Sequence, residues 1–310
     1  MIYALMDSVR QEYPVNRLCR LLGVAPSGYY HYCQQGMSEH DRQDVRLVNE
    51  MRRIHFETYE TYGSPRMHAA LRQAGIRVGR KRVERLMREH GLRPHMVTRS
   101  RGLTQRAQGR TAAPNRLQQN FVAQRPNQVW LTDSTEFDTA EGKVFVAVVE
   151  DLFSRRIVGW NAGPHFDTAL VINALKNAIG RRSIRPDHPA PILHHSDQGS
   201  QYTSHAYLAE LHRYHIEVSM SSTGNCYDNA PVESFFATLK KEWTHNRVYL
   251  TRKDLLLDLH DFLEVFYNRT RLHSSLAYRS PVAFEEAFAA GEFVSISQDD
   301  VLPLPTQPLQ

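Results

Sequence analysis

Along this 310-residue chain the apolar positions change rhythm at Asn127. Upstream they recur every three or four residues, the period of a helix face, and downstream they gather into β-rich runs. From Val15 to Cys33, Leu18, Leu21 and Leu22 supply one packing face, Gly23 turns the chain, and Pro26 with Ser27 opens a second helix carrying Tyr29, Tyr30 and His31. Two short helices around a glycine turn predict a helix-turn-helix, whose second helix would lie in a major groove. The competing expectation is a helical hairpin that only packs.

A longer unit follows. Asp41 to Glu57 reads as a polar amphipathic helix, Tyr62-Gly63 as a turn, Ser64-Pro65 as the cap of a helix running to about Gln73, and Gly75 as a second turn. The last helix spans about Val78 to His90, and Gly91 ends it. Val83, Leu86 and Met87 form its inner side, while Arg80, Lys81, Arg82, Arg85 and Arg88 lie outside against only Glu84 and Glu89. That excess of cations goes beyond what solubility requires. Arg80, Lys81, Arg82 and Arg85, with Tyr29 and Tyr30 of the first unit, are therefore the expected DNA contacts, an ordinary solvated face being the alternative.

Beyond Asn127, VWLTDSTEF, KVFVAVVEDLF and RRIVGWNA are three strands with turns at Glu141-Gly142 and Ser154-Arg155, an antiparallel meander. Asp167 to Ile179 is a helix, APILHHSD a strand ending in Asp197, Ser204 to Arg213 a helix, and EVSM a fifth strand. This order predicts an α/β fold, a mixed five-stranded sheet with helices on its faces, preceded by all-α helix-turn-helix units. An amphipathic helix from Thr251 to Tyr267, the polar stretch NRTRLHSSLAYRSP and a short helix from Pro281 to Ala290 complete the pattern. The expected divisions are helix-turn-helix units at 1–37 and 38–95, a basic linker at 96–125, the sheet domain at 126–245, a helical extension at 246–290 and a flexible tail at 291–310.

Met220 to Glu242 starts as a loop, because Ser221 to Asn225 are turn formers, and becomes a helix. Asp228 or Asn229 is placed to cap it, Pro231 suits its first turn, and Phe235, Phe236 and Leu239 give it a packing side. Glu233 stands near its start, with Asn229 four residues before and Lys240 seven after on one stripe. A glutamate there is either a partner of the helix dipole or a metal ligand. Its neighbours in space decide.

Composition narrows the class. With 41% hydrophobic and 23% charged residues the chain is of the soluble globular kind. No apolar run approaches the roughly 20 residues of a membrane helix, and polar residues enter MIYALMDSVRQEY too early for a signal peptide. A cytoplasmic protein without a membrane partner is expected. Cys19, Cys33 and Cys226 are isolated, forming neither a disulfide framework nor a zinc knuckle. Charge is divided: residues 1–125 hold 22 Lys and Arg against 10 Asp and Glu, and the rest 16 against 23. A basic arm and an acidic body suggest a nucleic-acid-binding half and a half whose carboxylates bind cations. Residues 93–125 carry seven arginines and no acid, so counterion release would hold them along a DNA backbone.

Three acids stand out by position. Asp133 interrupts the first strand, Asp197 closes the fourth, and Glu233 begins the helix after the fifth. Strand ends and helix starts of open α/β sheets converge on one crevice, so each acid is unremarkable alone but the three together make a carboxylate site. Hard oxygen donors suit paired Mg²⁺ ions, which can activate one oxygen and stabilise the departing one in phosphodiester chemistry. His194 and His195 are the ambiguity, since imidazole favours Zn²⁺, but strand alternation lets one at most face the site.

WLTD, HSDQGSQY and STGNCYDNAPVESFFATLKKE occur in this order, with 35 residues between Asp197 and Glu233. They resemble the Asp-Asp-Glu core of the retroviral-integrase superfamily, and more narrowly the downstream-frame (OrfB) transposases of the insertion-sequence-three family. The likeness runs from YGSPRMHAALR to YNRTRLHSSLAYRSPVAFE, most of the chain. It implies an RNase H-like core in which Asp133, Asp197 and Glu233 are the catalytic acids and hold two Mg²⁺ (or Mn²⁺) ions. Lys240 matches a basic residue that would hold a terminal DNA phosphate or base, and Asn229 a position near the active site, with capping as its alternative. Ser134-Thr135-Glu136 departs from an Ile-Thr-Tyr-like run in the family; alternation puts Thr135, not Glu136, on the side of Asp133.

The activity implied is that of a DNA transposase. It would bind the terminal inverted repeats, hydrolyse a phosphodiester to free a 3′-OH, and join that end to target DNA. Joining two ends implies a homo-oligomer, at least a dimer on DNA, in the bacterial cytoplasm at the nucleoid, with the upstream-frame (OrfA) product as a further partner. No heptad run precedes Val15, so the chain is expected to be the downstream product alone. The alternatives are a nuclease of the same fold that cuts without joining, and an inert DNA-binding regulator, which predicts a missing acid where none is missing.

Overall fold

The computed structural model describes residues 2–35, 38–95, 113–222, 226–245 and 247–292. Most of the expected basic linker and of the expected tail lies outside these residues. The chain divides into two compact units, Met1–Tyr59 with Met67–Arg93, and Glu60–Arg66 with Pro94–Gln310.

The first unit is helical. α1 (Ile2–Val9), α2 (Val15–Leu22) and α3 (Pro26–Gln35) bury Met6, Cys19 and Tyr29 between them. Gly23 ends α2 at φ 65°, a left-handed conformation that favours glycine. Tyr29 is 1% exposed and its hydroxyl donates to Asp7 Oδ1 at 3.1 Å. It is a core residue, which corrects its expected place on a DNA-facing surface: α1, lying before the helix-turn-helix pattern, covers it. Tyr30 remains exposed. α4 (Glu39–Glu57), capped by Ser38, packs with α5 (Ser64–Gln73) and α6 (Arg80–Glu89) through Leu47, Val48, Met51, Met67, Leu71, Val83, Leu86 and Met87.

The second unit holds the sheet: β1 (Val129–Thr139), β2 (Gly142–Asp151), β3 (Arg156–Gly163), α7 (Thr168–Arg181), β4 (Leu193–Ser196), α8 (His205–Arg213) and β5 (Glu217–Met220). The spatial order is β3-β2-β1-β4-β5, with β1, β2 and β3 antiparallel and β4 and β5 added in parallel. This is the expected meander extended by two crossovers. Trp130, Ala147, Val149 and Val158 pack under α7 and α8 with Leu175, Ala178, Tyr207 and Leu211. Side chains alternate along a strand, so Leu131, Asp133 and Phe137 point to the opposite face. There α9 (Ala230–Leu239) packs against β1.

The helix expected from Thr251 to Tyr267 has two registers. α10 (Arg252–His260) opens with a capping box of Thr251 and Asp254 and runs into a wider π-helical stretch, Asp261–Thr270. The wide turns deliver Asn268 to the outer edge of β3, where its amide accepts from Ile157 N at 2.9 Å and donates to Ile157 O at 3.0 Å. One side chain thus occupies the hydrogen-bonding positions of a missing neighbour strand, a common way to close a sheet edge. Periodicity alone cannot show this, because Phe262, Leu263 and Phe266 fit either register. α11 (Pro281–Ala289) is tied to the same edge by Glu285, which accepts from Arg156, Arg182 and Ser154. Among the described residues no helix is long and apolar enough to cross a membrane.

His194 is fully buried, with its Nε2 2.9 Å from the Tyr207 hydroxyl. Burial, followed by the neighbouring His195, pushes its pKa down to about 3. The unfolded chain takes up this proton near pH 6.5 and the folded chain does not, so folding loses stability as pH falls below 6.5, by about 2 kcal/mol at pH 5. His194→Gln cannot titrate and escapes this loss. Denaturant melts of the two proteins should therefore draw together by about that amount between pH 7 and 5; a constant gap would show that His194 does not stay neutral in the fold.

Candidate active site

The parallel register pairs Val129 with Leu193 and Leu131 with His195. Carried two residues further, it sets Asp197, just past the end of β4, level with Asp133 in the middle of β1. Glu233 stands in the first turn of α9, which lies on the same face of β1 as Asp133. The three acids come from three distant stretches to one side of the sheet.

Their electrostatics agree. Asp133 is half-buried, and loss of water contact, then the charges of Asp197 and Glu233, raise its pKa to about 7 against the opposing pull of a hydrogen bond from Ser134 N and of Lys240. Asp197 and Glu233 lie at the surface with their carboxyls raised, in both cases by partial desolvation. Gly199 N donates to Asp197 Oδ1 at 2.9 Å, and a Cβ on Gly199 would come within 2.9 Å of that oxygen. The glycine of HSDQGS thus lets backbone approach the carboxylate, a role that a reading for acids alone passes over. Tyr202, fully buried five residues after Asp197, also lies within electrostatic reach of Asp133 and Asp197.

Lys240 lies over the same face, its ammonium 5.6 Å from the centre of the Phe137 ring. Desolvation lowers its pKa, opposed by Glu136, Asp133 and Asp138. Glu136 itself is exposed and paired with Lys143 across the β1–β2 hairpin. Strand alternation turns it away from the side of Asp133.

Asn229 is 5% exposed, and its amide donates to Thr132 O at 3.0 Å, tethering the start of α9 to the residue before Asp133. It makes no capping bond to α9. Asp228 does not cap either, because its carboxylate accepts from Asn115, Gln119 and Ser222 N. The capping expected of this pair is corrected: long-range partners, invisible in the local pattern, take both side chains. Asn229 Oδ1 is buried without a partner among the described residues. His194 faces Tyr207, and His195 bonds Ser219 at 2.8 Å and Ser221 at 3.2 Å, so neither imidazole joins the acids.

The donor set is carboxylate oxygen, with no thiolate or imidazole, which fits a hard divalent cation and argues against Zn²⁺. The like-charge repulsion felt by Asp133 and the orphaned Asn229 oxygen fit one as well. Among the described residues no three His, Cys, Asp or Glu side chains stand close enough together to hold an ion.

In the first unit Arg82 and Arg85 are committed to Asp44 of α4, at 2.6 and 2.7 Å. A phosphate would meet them only in competition with that carboxylate, and a helix read by itself does not reveal the acid on the helix it packs against. Arg80, paired with Glu84 along α6, and Lys81 remain exposed, as does Arg88.

An integrase core domain model matches residues 123–226, a second integrase core domain model matches 214–281, and an HTH-like domain model matches 42–100. The 31 kDa protein of insertion element IS600 from Shigella sonnei is 40% identical over 271 residues, 87% of this chain and 98% of that protein. Transposase InsF for insertion sequence IS3A from Escherichia coli (strain K12) is 36% identical over 287 residues, 92% of this chain and 98% of that one. The chain belongs to the IS3 family of transposases. The family's integrase core is the mixed sheet of the second unit, and the HTH-like match covers α4 to α6. Among solved structures, the simian T-cell lymphotropic virus intasome in complex with PP2A regulatory subunit B56 gamma is 17% identical, covers 72% of this chain and 74% of its own, and has a TM-score of 0.43.

Proposed function

We propose that this transposase cuts and joins DNA at the ends of its own insertion sequence, with Asp133, Asp197 and Glu233 as the acids that carry the reaction. The observation that supports this most is the gathering of the three on one side of β1, where Asp133 feels the charges of the other two. The three would hold two Mg²⁺ or Mn²⁺ ions. Bound there, such ions lower the pKa of water and balance charge on the attacking and leaving oxygens of an in-line displacement.

The chain's own residues do the rest. α9, seated on the sheet by Val232, Phe235, Phe236 and Leu239, fixes Glu233 and Lys240 relative to β1. Lys240 offers a cation, its cost of desolvation already met in part, to a phosphate of the DNA end. Asn229 anchors the start of α9 against Thr132 and leaves Oδ1 available for a hydrogen bond within the site. Water opens the end phosphodiester to free a 3′-OH, and that hydroxyl attacks the target phosphodiester in line; no covalent enzyme intermediate is formed. Residues 1–37 and 38–95 serve as DNA-binding units, with Arg80, Lys81 and Tyr30 as their outward contacts, and 126–245 as the catalytic core. Two ends must meet, so the working form is at least a dimer on terminal repeats and target DNA, in the bacterial cytoplasm, with the upstream-frame product as a further partner.

The test is a strand-transfer assay with labelled, pre-cut terminal-repeat DNA and a target plasmid, in Mg²⁺, Mn²⁺ or EDTA. Joined product is expected with either metal and none in EDTA. Cutting of uncut ends without joining would favour a nuclease, and binding without either reaction an inert regulator. Lys81→Ala should weaken end binding and lower its salt slope by about 1 if the residue meets a phosphate.

A further inference from the structure

Two stretches singled out in the sequence have no part in the chemistry above: Tyr62-Gly63-Ser64-Pro65-Arg66, and the polar run beginning at Asn268. Within the second unit they meet. Tyr62 is 1% exposed; its hydroxyl donates to Thr270 O at 3.1 Å and accepts from Leu272 N at 2.8 Å. Arg66 Nη1 donates to Glu242 Oε1 at 3.0 Å. Arg271, 3% exposed, donates to the same carboxylate twice, Nε to Oε2 at 2.7 Å and Nη2 to Oε1 at 2.8 Å. Burial by itself would raise the Glu242 carboxyl, but the two guanidinium groups hold it below the usual carboxylate range.

Glu242 lies in a π-helical turn, Lys240–Thr244, that continues α9 without a break in helical dihedrals. Helix, turn, Glu233, Lys240 and Glu242 are therefore one rod. π-helical turns are rare, occurring mostly as single turns within α-helices and frequently at functional sites. Here Trp243 packs on Phe262 and Phe266, with ring centres 5.1 and 5.4 Å away, and Glu242 is gripped by Arg66 and Arg271.

We propose that Arg66 and Arg271, acting through Glu242, are positioning residues for the rod that carries Glu233 and Lys240, so that Tyr62–Arg66 is a working part of the catalytic unit although it lies far upstream of it in sequence. The proposal rests on the transposase reading for its catalytic consequence and on the geometry alone for its structural one. Arg66 is the informative position: without it, the bidentate Arg271–Glu242 pair remains, so the fold keeps its buried ion pair while the turn loses one anchor.

The test uses the full chain with Arg66→Met, Arg66→Lys and, as an independent break of the same junction, Tyr62→Phe. Hydrogen exchange across 233–245 is measured together with joining rate and affinity for end DNA. In Arg66→Met, amides of the Lys240–Thr244 turn should exchange at least about tenfold faster with those of β1 and β2 unchanged, and joining should slow at least about tenfold with end affinity within about twofold. Arg66→Lys, which keeps a cationic donor, should recover most of both, and Tyr62→Phe should resemble Arg66→Met. Unchanged exchange in the turn for both Arg66→Met and Tyr62→Phe overturns the proposal whatever the activity. Faster exchange with normal joining overturns it too, since the turn would then be held without serving the chemistry. A wild-type chain that joins no DNA speaks against the transposase mechanism, and the exchange result alone then decides whether Arg66 fixes the rod.

Discussion

Asp133→Asn is expected to abolish end cleavage and joining, by at least about a thousandfold, while binding of end DNA stays within about twofold. The exchange replaces one carboxylate oxygen by an amide nitrogen of the same shape, and the remaining oxygen can still accept from Ser134 N. What it removes is charge. In wild type that charge is half-buried beside Asp197 and Glu233, and its pKa stands at about 7. A folded pKa above the unfolded one means stability is lost as pH rises from the ordinary carboxylate range to about 7, and the Asn variant escapes that loss. In EDTA at pH 7.5 it should therefore melt above wild type, by roughly 1–2 kcal/mol once solvent screening of a half-buried group is allowed for, and the gap should close towards pH 4. Adding Mg²⁺ should stabilise wild type and not the variant. Loss of activity accompanied by a lower melting temperature in EDTA would identify Asp133 as a structural residue and sink its assignment.

The same residue shows what a sequence can reveal. An acid on a strand in the interior of a sheet, where valine or isoleucine would be expected, is a local anomaly, and local anomalies are legible. The three-strand meander is legible for a similar reason, since β-rich runs broken by turns at Glu141-Gly142 and Ser154-Arg155 depend only on neighbours. The interactions that local pattern does not reveal depend on partners far away. Arg82 and Arg85 look free until Asp44 arrives from α4, some 40 positions earlier, and Tyr29 looks exposed until α1 covers it. Arg66 meets Glu242 across 176 positions and Tyr62 meets Leu272 across 210. No window of periodicity spans such gaps. Asn229 shows a subtler failure: its type and place fit a helix cap, and the fold gives its amide to Thr132 O instead. Local propensity offered two partners, and packing on β1 selected the distant one.

Gly159→Ala should be among the most damaging single-methyl changes in the chain, because β3 and α7 touch there through backbone. A Cβ built on Gly159 would lie 2.3 Å from Ala174 O, 2.6 Å from Ala178 N and 2.7 Å from Ala178 Cβ. None of these is the end of a flexible side chain that could swing aside. Relief would need α7 to move off the sheet, and α7 brings Leu170, Val171, Ala174, Leu175, Ala178 and Ile179 into the core under β1, β2 and β3. Overpacking in well-packed cores costs about 1–3 kcal/mol when side chains can adjust. Here helix backbone must shift, so a loss of about 3 kcal/mol or more is expected, a large part of a typical domain's stability. Gly180, on the same helix, has nothing within 4 Å of its would-be Cβ, and Gly180→Ala should be tolerated. Paired denaturant melts make the comparison. Equal midpoints for the two variants would mean that β3 and α7 are not in backbone contact, and the face of the sheet opposite Asp133 would then lack the rigid support on which β1, and with it the alignment of the three acids, depends.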